Sequence, residues 1–213
     1  EPAPAESVQV ITEAATRALA TLDPDLAETL DVVVDLVLGR EVGSAGKRLE
    51  ERRSELIVRF QQVTGAVTAK GVEDTAFYRW TVLTSLTEVG GSPASFGTST
   101  DDFHEFAAAH GRTWPATMSL GSTHDSKRSE DVRARITVMS QFPHEWAALV
   151  RSLAPRFAGI DGAATNLALQ TIAGTWLEEG PISPERLARY LTKAVREQKT
   201  WTSWTRPDVK GEE

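Results

Sequence analysis

A predominantly α-helical fold with a few short β-strands is predicted by three observations. Apolar residues recur at helical spacing over most of the chain. Two short runs of small, β-branched or apolar residues, 63–69 and 116–121, break that period, and each leads into a dense polar cluster followed by another helical pattern. Ser183-Pro184, an N-cap with proline at N1, then opens the strongest amphipathic stripe in the sequence. With 213 residues, of which 40% are hydrophobic, the chain holds one ordinary domain or two small ones at roughly 150 residues each, and wholesale disorder is excluded.

The elements follow in order. Val8, Ile11, Ala15, Leu19 and Leu22 mark a first helix, which Asp23-Pro24 breaks. Leu26, Leu30, Val33, Val34 and Val37 give a second, ending at Gly39. A charged third helix over 47–62 keeps Leu49, Leu56, Ile57 and Phe60 near one side. The run 63–69 reads as a buried strand leading into Lys70-Gly71-Val72-Glu73-Asp74, and Ala76, Trp80, Leu83 and Leu86 read as the helix beyond. After a Gly-Gly-Ser-Pro loop, Ser99 with Asp102 signals a helix start, and Gly111 its stop. The second strand, 116–121, leads into the polar stretch 122–131, and Val132, Ile136 and Met139 continue as a helix capped by Ser129. Residues 143–153 form a further helix, 167–176 a buried strand or short helix, and Leu187, Tyr190, Leu191, Ala194 and Val195 the last helix. The residues after Trp204 read as a polar, frayed tail. The organisation expected is thus a helical subdomain or insertion over 1–62, a second region over 63–204, and the tail 205–213.

Composition removes several function classes. No cysteine means no disulfide framework, thiolate metal site or cysteine nucleophile, and it suits a reducing compartment, the cytoplasm. A net charge of −7 spread over the chain argues against nucleic acid as a partner. No run approaches the ~20 apolar residues of a membrane span, and the first residues lack the basic and apolar parts of a signal peptide. His104, His110 and His144 have no ligand-like spacing to carboxylates, so neither a metal nor a cofactor is expected.

Thr123-His124-Asp125 places an imidazole and a carboxylate side by side where a strand is expected to end. In a sugar pocket that carboxylate could stabilise a developing oxocarbenium-like charge while the histidine donates to a neighbouring hydroxyl. The alternative is a loop aspartate beside an ordinary polar histidine. Lys70, Glu73, Asp74 and Arg79 could line a polyol site or pair with one another, and Lys127 and Arg128 belong to a charge run whose usual meaning is a solvated helix start with local ion pairs, phosphate binding being the alternative. Trp201 and Trp204 are packing anchors or sugar-stacking platforms.

Five ordered blocks resolve these alternatives by resemblance. They are residues 65–79 (Gly-Ala-Val-Thr-Ala-Lys-Gly-Val-Glu-Asp-Thr-Ala-Phe-Tyr-Arg), Glu88-Val89-Gly90-Gly91, residues 122–135 around Thr123-His124-Asp125, residues 170–174, and residues 190–197 with Thr202-Ser203-Trp204. Together they resemble the maltooligosyl trehalose synthase family of the α-amylase superfamily, over Gly65 to Trp204; the first sixty residues match only in helical character. The resemblance implies part of a (β/α)8 barrel with a helical insertion. It also implies a glucosylmutase that turns the reducing-end α-1,4 bond of a maltooligosaccharide into an α,α-1,1 bond in trehalose synthesis.

Such enzymes retain configuration: one carboxylate attacks the anomeric carbon, a second is acid and then base, and a third aspartate stabilises the transition state. The resemblance makes Asp125 that third aspartate and His124 its sugar-binding neighbour. Lys70, Glu73, Asp74, Tyr78, Arg79, Lys127 and Arg128 follow as substrate-site candidates. Nothing before Gly65 resembles the segments bearing the other two carboxylates, so the chain reads as the later part of a catalytic region, inactive alone. Its expected partners are a maltooligosaccharide and the upstream part of the same enzyme, and an open apolar barrel interior implies self-association. The rival readings are another glucan hydrolase or transferase of the superfamily, and a non-catalytic helical module that binds glucan or protein.

Overall fold

The computed structural model describes residues 4–40, 42 and 50–212 of the chain. They are mainly helical. The chain divides into two compact units, Glu1–Val67 and Thr68–Glu213.

In the first unit, α1 (Ala5–Leu19) packs against α2 (Ala27–Val37). Between them Asp23 caps a single 3-10 turn, its carboxylate accepting from the Asp25 amide at 3.1 Å, and Pro24 fills the first position. Beyond α2 the backbone turns at Gly39 with φ +75°, a conformation that glycine adopts without strain. The helix expected over 47–62 is observed as α3 (Glu50–Thr68); residues 47–49 of that expectation lie outside the described residues.

The strand expected over 63–69 is not formed. Residues 63–68 continue α3, Val63 and Val67 are 58% and 62% exposed, and the chain then widens into a π-helical stretch over Ala69–Ala76. There the Thr75 hydroxyl donates to the Lys70 carbonyl, five residues back, at 2.7 Å. The second expected strand, 116–121, is irregular and exposed, with Met118 at 89%. A helix satisfies its amides and carbonyls internally whereas a strand requires a neighbour. Among the described residues the sole β-pairing is an isolated bridge between Leu177 and Gly180, so these short runs have nothing to pair with.

The helix expected from Ala76 to Leu86 is likewise interrupted. It survives as α4 (Phe77–Arg79) and a 3-10 turn at Thr84–Leu86, with Trp80 extended between them (φ −87°, ψ 100°). Buried Gln170 explains the break: its Oε1 accepts from the Thr84 amide (2.8 Å) and hydroxyl (2.9 Å), and its Nε2 donates to the Thr81 carbonyl (2.7 Å). The side chain takes the backbone groups a helix would have used.

The remaining helices are α5 (Thr100–Thr113), α6 (Glu130–Val138), α7 (Pro143–Leu153), α8 (Gly162–Gly174), α9 (Pro184–Gln198) and α10 (Val209–Glu212). α5 runs two residues past Gly111, and 167–176, open between strand and helix in the sequence, is largely α8. α6 packs on α8 and on the 84–86 turn, while α4 and the π-helical stretch pack on α9. Tyr78, Leu167 and Ala194, from α4, α8 and α9, meet in a small buried core. Residues 205–212, expected as part of a frayed tail, end in a short helix instead. α10 returns Glu212 to Arg196, which donates from Nε (2.9 Å) and Nη2 (2.6 Å), and to the Thr202 hydroxyl (2.6 Å). Among the described residues no helix is long and apolar enough to cross a membrane.

Candidate active site

Thr123, His124, Asp125 and Ser126 form a tight turn just before α6. The Ser126 amide donates to the Thr123 carbonyl (3.2 Å), the Thr123 amide to the Ser126 hydroxyl (2.8 Å), and the Asp125 amide to the Thr123 hydroxyl (3.3 Å). Threonine and serine at the ends of the turn thus hold its backbone through their hydroxyls. The two central residues, His124 and Asp125, are exposed. The residues leading into the turn are tied to α6: the Glu130 amide donates to the Ser122 hydroxyl at 2.9 Å, and the Arg133 guanidinium donates to the Gly121 carbonyl.

Behind the turn lies an ion-pair chain. Asp74 Oδ1 meets Lys127 Nζ at 2.7 Å, and Asp74 Oδ2 meets Lys70 Nζ at 2.5 Å. The Lys127 side chain is 4% exposed, that of Lys70 76%. Burial alone would push the Asp74 carboxyl up, but hydrogen bonds and charge from Lys127 and Lys70 outweigh it and hold the carboxyl below its ordinary value. The hydrogen bond and charge of Asp74 raise Lys70, with smaller contributions from Glu197 and Asp125, so Asp125 lies within electrostatic reach of the Lys70 ammonium.

The other sequence candidates divide. Glu73 accepts from the Gly90 amide at 2.9 Å and so anchors the Gly-Gly loop. Arg79 donates to the Gln198 carbonyl (2.5 Å) and the Lys199 carbonyl (3.3 Å), serving the C-terminal end of α9. Tyr78 is a core residue, 2% exposed, and burial raises its phenol. Arg128 is buried and donates to the Thr84 carbonyl at 3.1 Å. The structure thus joins Lys70, Asp74 and Lys127 in one ion-pair chain, leaves Asp125 on the exposed turn without a direct contact to it, and buries Tyr78 and Arg128, whose phenol oxygen and Nε and Nη2 have no partner among the described residues.

Sequence reasoning passed over Glu88 as a site residue. Its Oε1 accepts from the Lys127 amide at 2.7 Å and from the Val89 amide at 2.9 Å; its Oε2 accepts from the Arg128 amide at 3.0 Å and from Arg133 Nη1 at 3.4 Å. The only signal was its place in the Glu-Val-Gly-Gly block. With Asp74 and Glu88 both occupied, Asp125 is the carboxylate of this cluster to which no described residue's side chain donates. An exposed carboxylate that no side chain occupies is open to accept from the hydroxyls of a polyol. Among the described residues, no group of three or more His, Asp or Glu could hold a metal ion.

No protein-family model matches the chain. It is 42% identical over 192 residues to a protein assigned as maltooligosyl trehalose synthase in Mycobacterium tuberculosis, a match over 89% of this chain and 25% of that protein. The maltooligosyltrehalose synthase structure from Arthrobacter ramosus superposes with a TM-score of 0.79 at 36% identity, covering 96% of this chain and 25% of the other. A Sulfolobus tokodaii structure, a hypothetical maltooligosyl trehalose synthase, gives 0.66 at 28% identity over 96% and 33%. The chain therefore spans about a quarter of the length of the curated relatives it matches.

Proposed function

We propose that this chain is a segment of a maltooligosyl trehalose synthase and that it supplies the complete enzyme with one of its three carboxylates, Asp125. The observation that carries the reading is the match over 192 residues at 42% identity, within which Thr123-His124-Asp125 stands on an exposed, hydroxyl-pinned turn. The relatives' name gives the product, a maltooligosyl trehalose, and the family resemblance the reaction: the reducing-end bond of a maltooligosaccharide becomes a trehalose linkage. In a retaining route, a nucleophile and an acid/base from outside this chain cleave and re-form the glycosidic bond. Asp125 accepts hydrogen bonds from ring hydroxyls and offsets the positive charge that develops at the anomeric carbon. His124, beside it, donates to a hydroxyl. Lys70, held by Asp74 and mostly exposed, offers a further donor.

A (β/α)8 barrel in the complete enzyme is part of the proposal, supported by the resemblance of the five sequence blocks to the α-amylase superfamily. The absence of cysteine supports a cytoplasmic setting.

The test is a chimera in which this chain replaces the matching quarter of the M. tuberculosis relative, assayed on maltopentaose for loss of reducing ends. The chimera consumes reducing ends without releasing glucose; its Asp125→Asn form is slower by about 100- to 1,000-fold in kcat; and this chain alone is inactive. Release of glucose by the chimera, or an active Asp125→Asn form, would sink the assignment.

A further inference from the structure

We infer that Glu88 is the positioning residue of the candidate site, the group that fixes the Thr123–Ser126 turn and with it the direction of Asp125. The inference rests on the proposed role of Asp125 and adds a residue to it.

Lys127 and Arg128 follow the turn immediately and lie outside any helix, so their amides have no partner from regular structure. Both are met by one carboxylate, Lys127 N–H on Oε1 and Arg128 N–H on Oε2, a two-pronged grip on consecutive peptide groups. Charge-assisted bonds of this kind are shorter and stronger than neutral ones. Glu88 is itself held: the Val89 amide donates to Oε1, Arg133 Nη1 to Oε2, and its side chain is 16% exposed. Arg133 closes the frame, since the same guanidinium also donates to the carbonyls of Arg128 (2.9 Å) and Gly121. The eight-residue stretch 121–128 is therefore pinned at one end through Arg133 and at the other through Glu88. Its middle, His124 and Asp125, projects free. Lys127, whose backbone Glu88 holds, also carries the ammonium that pairs with Asp74. The same grip thus sets the ion-pair chain behind the turn. A group that touches no substrate but fixes the peptide two residues from a reacting carboxylate acts through it, and displacement of that carboxylate by about 1 Å can cost 100-fold in rate.

Amide hydrogen exchange on this chain comes first. In the wild type, the Lys127 and Arg128 amides exchange slowly although they lie in a loop. In Glu88→Gln, where the side-chain NH2 opposes an amide donor, both speed up by about tenfold or more while the amides of α8 keep their protection. Unprotected amides in the wild type, or no change in Glu88→Gln, would overturn the grip. If Glu88→Gln also loses protection throughout α8, the wild-type rates and Glu88→Asp decide, the latter keeping the charge but falling one methylene short.

Kinetics of the chimera test the second step. Glu88→Gln lowers kcat about 100-fold with KM within about threefold, and the double variant with Asp125→Asn is no slower than Asp125→Asn alone. Additive losses, or a loss confined to KM, overturn the positioning role. A wild-type chimera without mutase activity counts against the proposed function instead, and the exchange rates still decide whether Glu88 holds the turn.

Discussion

Asp74 holds two ammonium groups, and the less exposed of them sets what it contributes. Lys127 is nearly sequestered, so removing the carboxylate leaves a cation with little access to water. Asp74→Asn should destabilise the chain by about 1.5–3 kcal/mol in urea unfolding, and Lys70→Met much less because that ammonium is mostly solvated. The pH dependence has a definite sign. A carboxyl whose folded-state pKa is depressed adds stability above its unfolded value and loses it as the pH falls through the folded one. For Glu212 the Arg196 and Thr202 hydrogen bonds lower the pKa from 4.5 to about 2. The stability difference between wild type and Glu212→Gln should therefore be constant above pH 4.5 and shrink steadily toward pH 2, measured by urea titrations across that range. At this scale the sequence was partly legible. His124 and Asp125 are adjacent and announce themselves, and Lys70 and Asp74 stand four apart on a helical turn. Glu88 could not be found that way, because its amide partners lie 39 and 40 residues away and a lone glutamate in a glycine-rich loop has no local signature.

Helices were legible where caps and period agreed. Ser99 and Ser183 cap α5 and α9 through their hydroxyls, as the spacing of Ser99 to Asp102 and the Ser-Pro pair require. The strands were not, because a four- to seven-residue run of small and β-branched residues fits a helix end or an irregular segment as well as a strand, and only a pairing neighbour decides. Gln170 was silent for a similar reason: its effect is to capture backbone of Thr81 to Thr84, 86 to 89 residues earlier. The packing of α6 on α8 makes a sharper prediction. A Cβ built on Gly174 would lie 2.8 Å from Ile136 Cγ1 and 3.0 Å from Val132 Cγ1, and Ile136 is fully buried. Gly174→Ala, at the last residue of α8, should therefore cost about 1–3 kcal/mol by overpacking, although alanine is the better helix former. Chemical unfolding of the single variant, and of Gly174→Ala with Ile136→Val, checks the cause. The smaller partner should recover part of the loss, and no recovery would point to the backbone instead.

Across the second unit, apolar surface exceeds what its small core uses. Phe103, Phe106, Trp114, Met118 and Leu120 are all more than half exposed, and they fall within eighteen consecutive residues of one segment, α5 and the irregular run after it. Phe103 and Phe106 are three apart on α5 and so share one side of that helix. Scattered exposed apolar residues need no explanation, but a concentration of this kind in one segment favours burial against another surface. Because this chain spans a quarter of its relatives, the rest of the enzyme is the proposed natural cover; for the chain alone in solution, the available cover is another copy. Sedimentation velocity should accordingly give a weight-average mass that rises above 23.2 kDa with concentration. Phe103→Ser with Phe106→Ser should lower that rise without lowering the unfolding midpoint, because neither ring belongs to the core. A monomer at every concentration would show that this face is tolerated in water, and the association would then have to be sought in the chimera, where the same two substitutions should weaken its thermal stability.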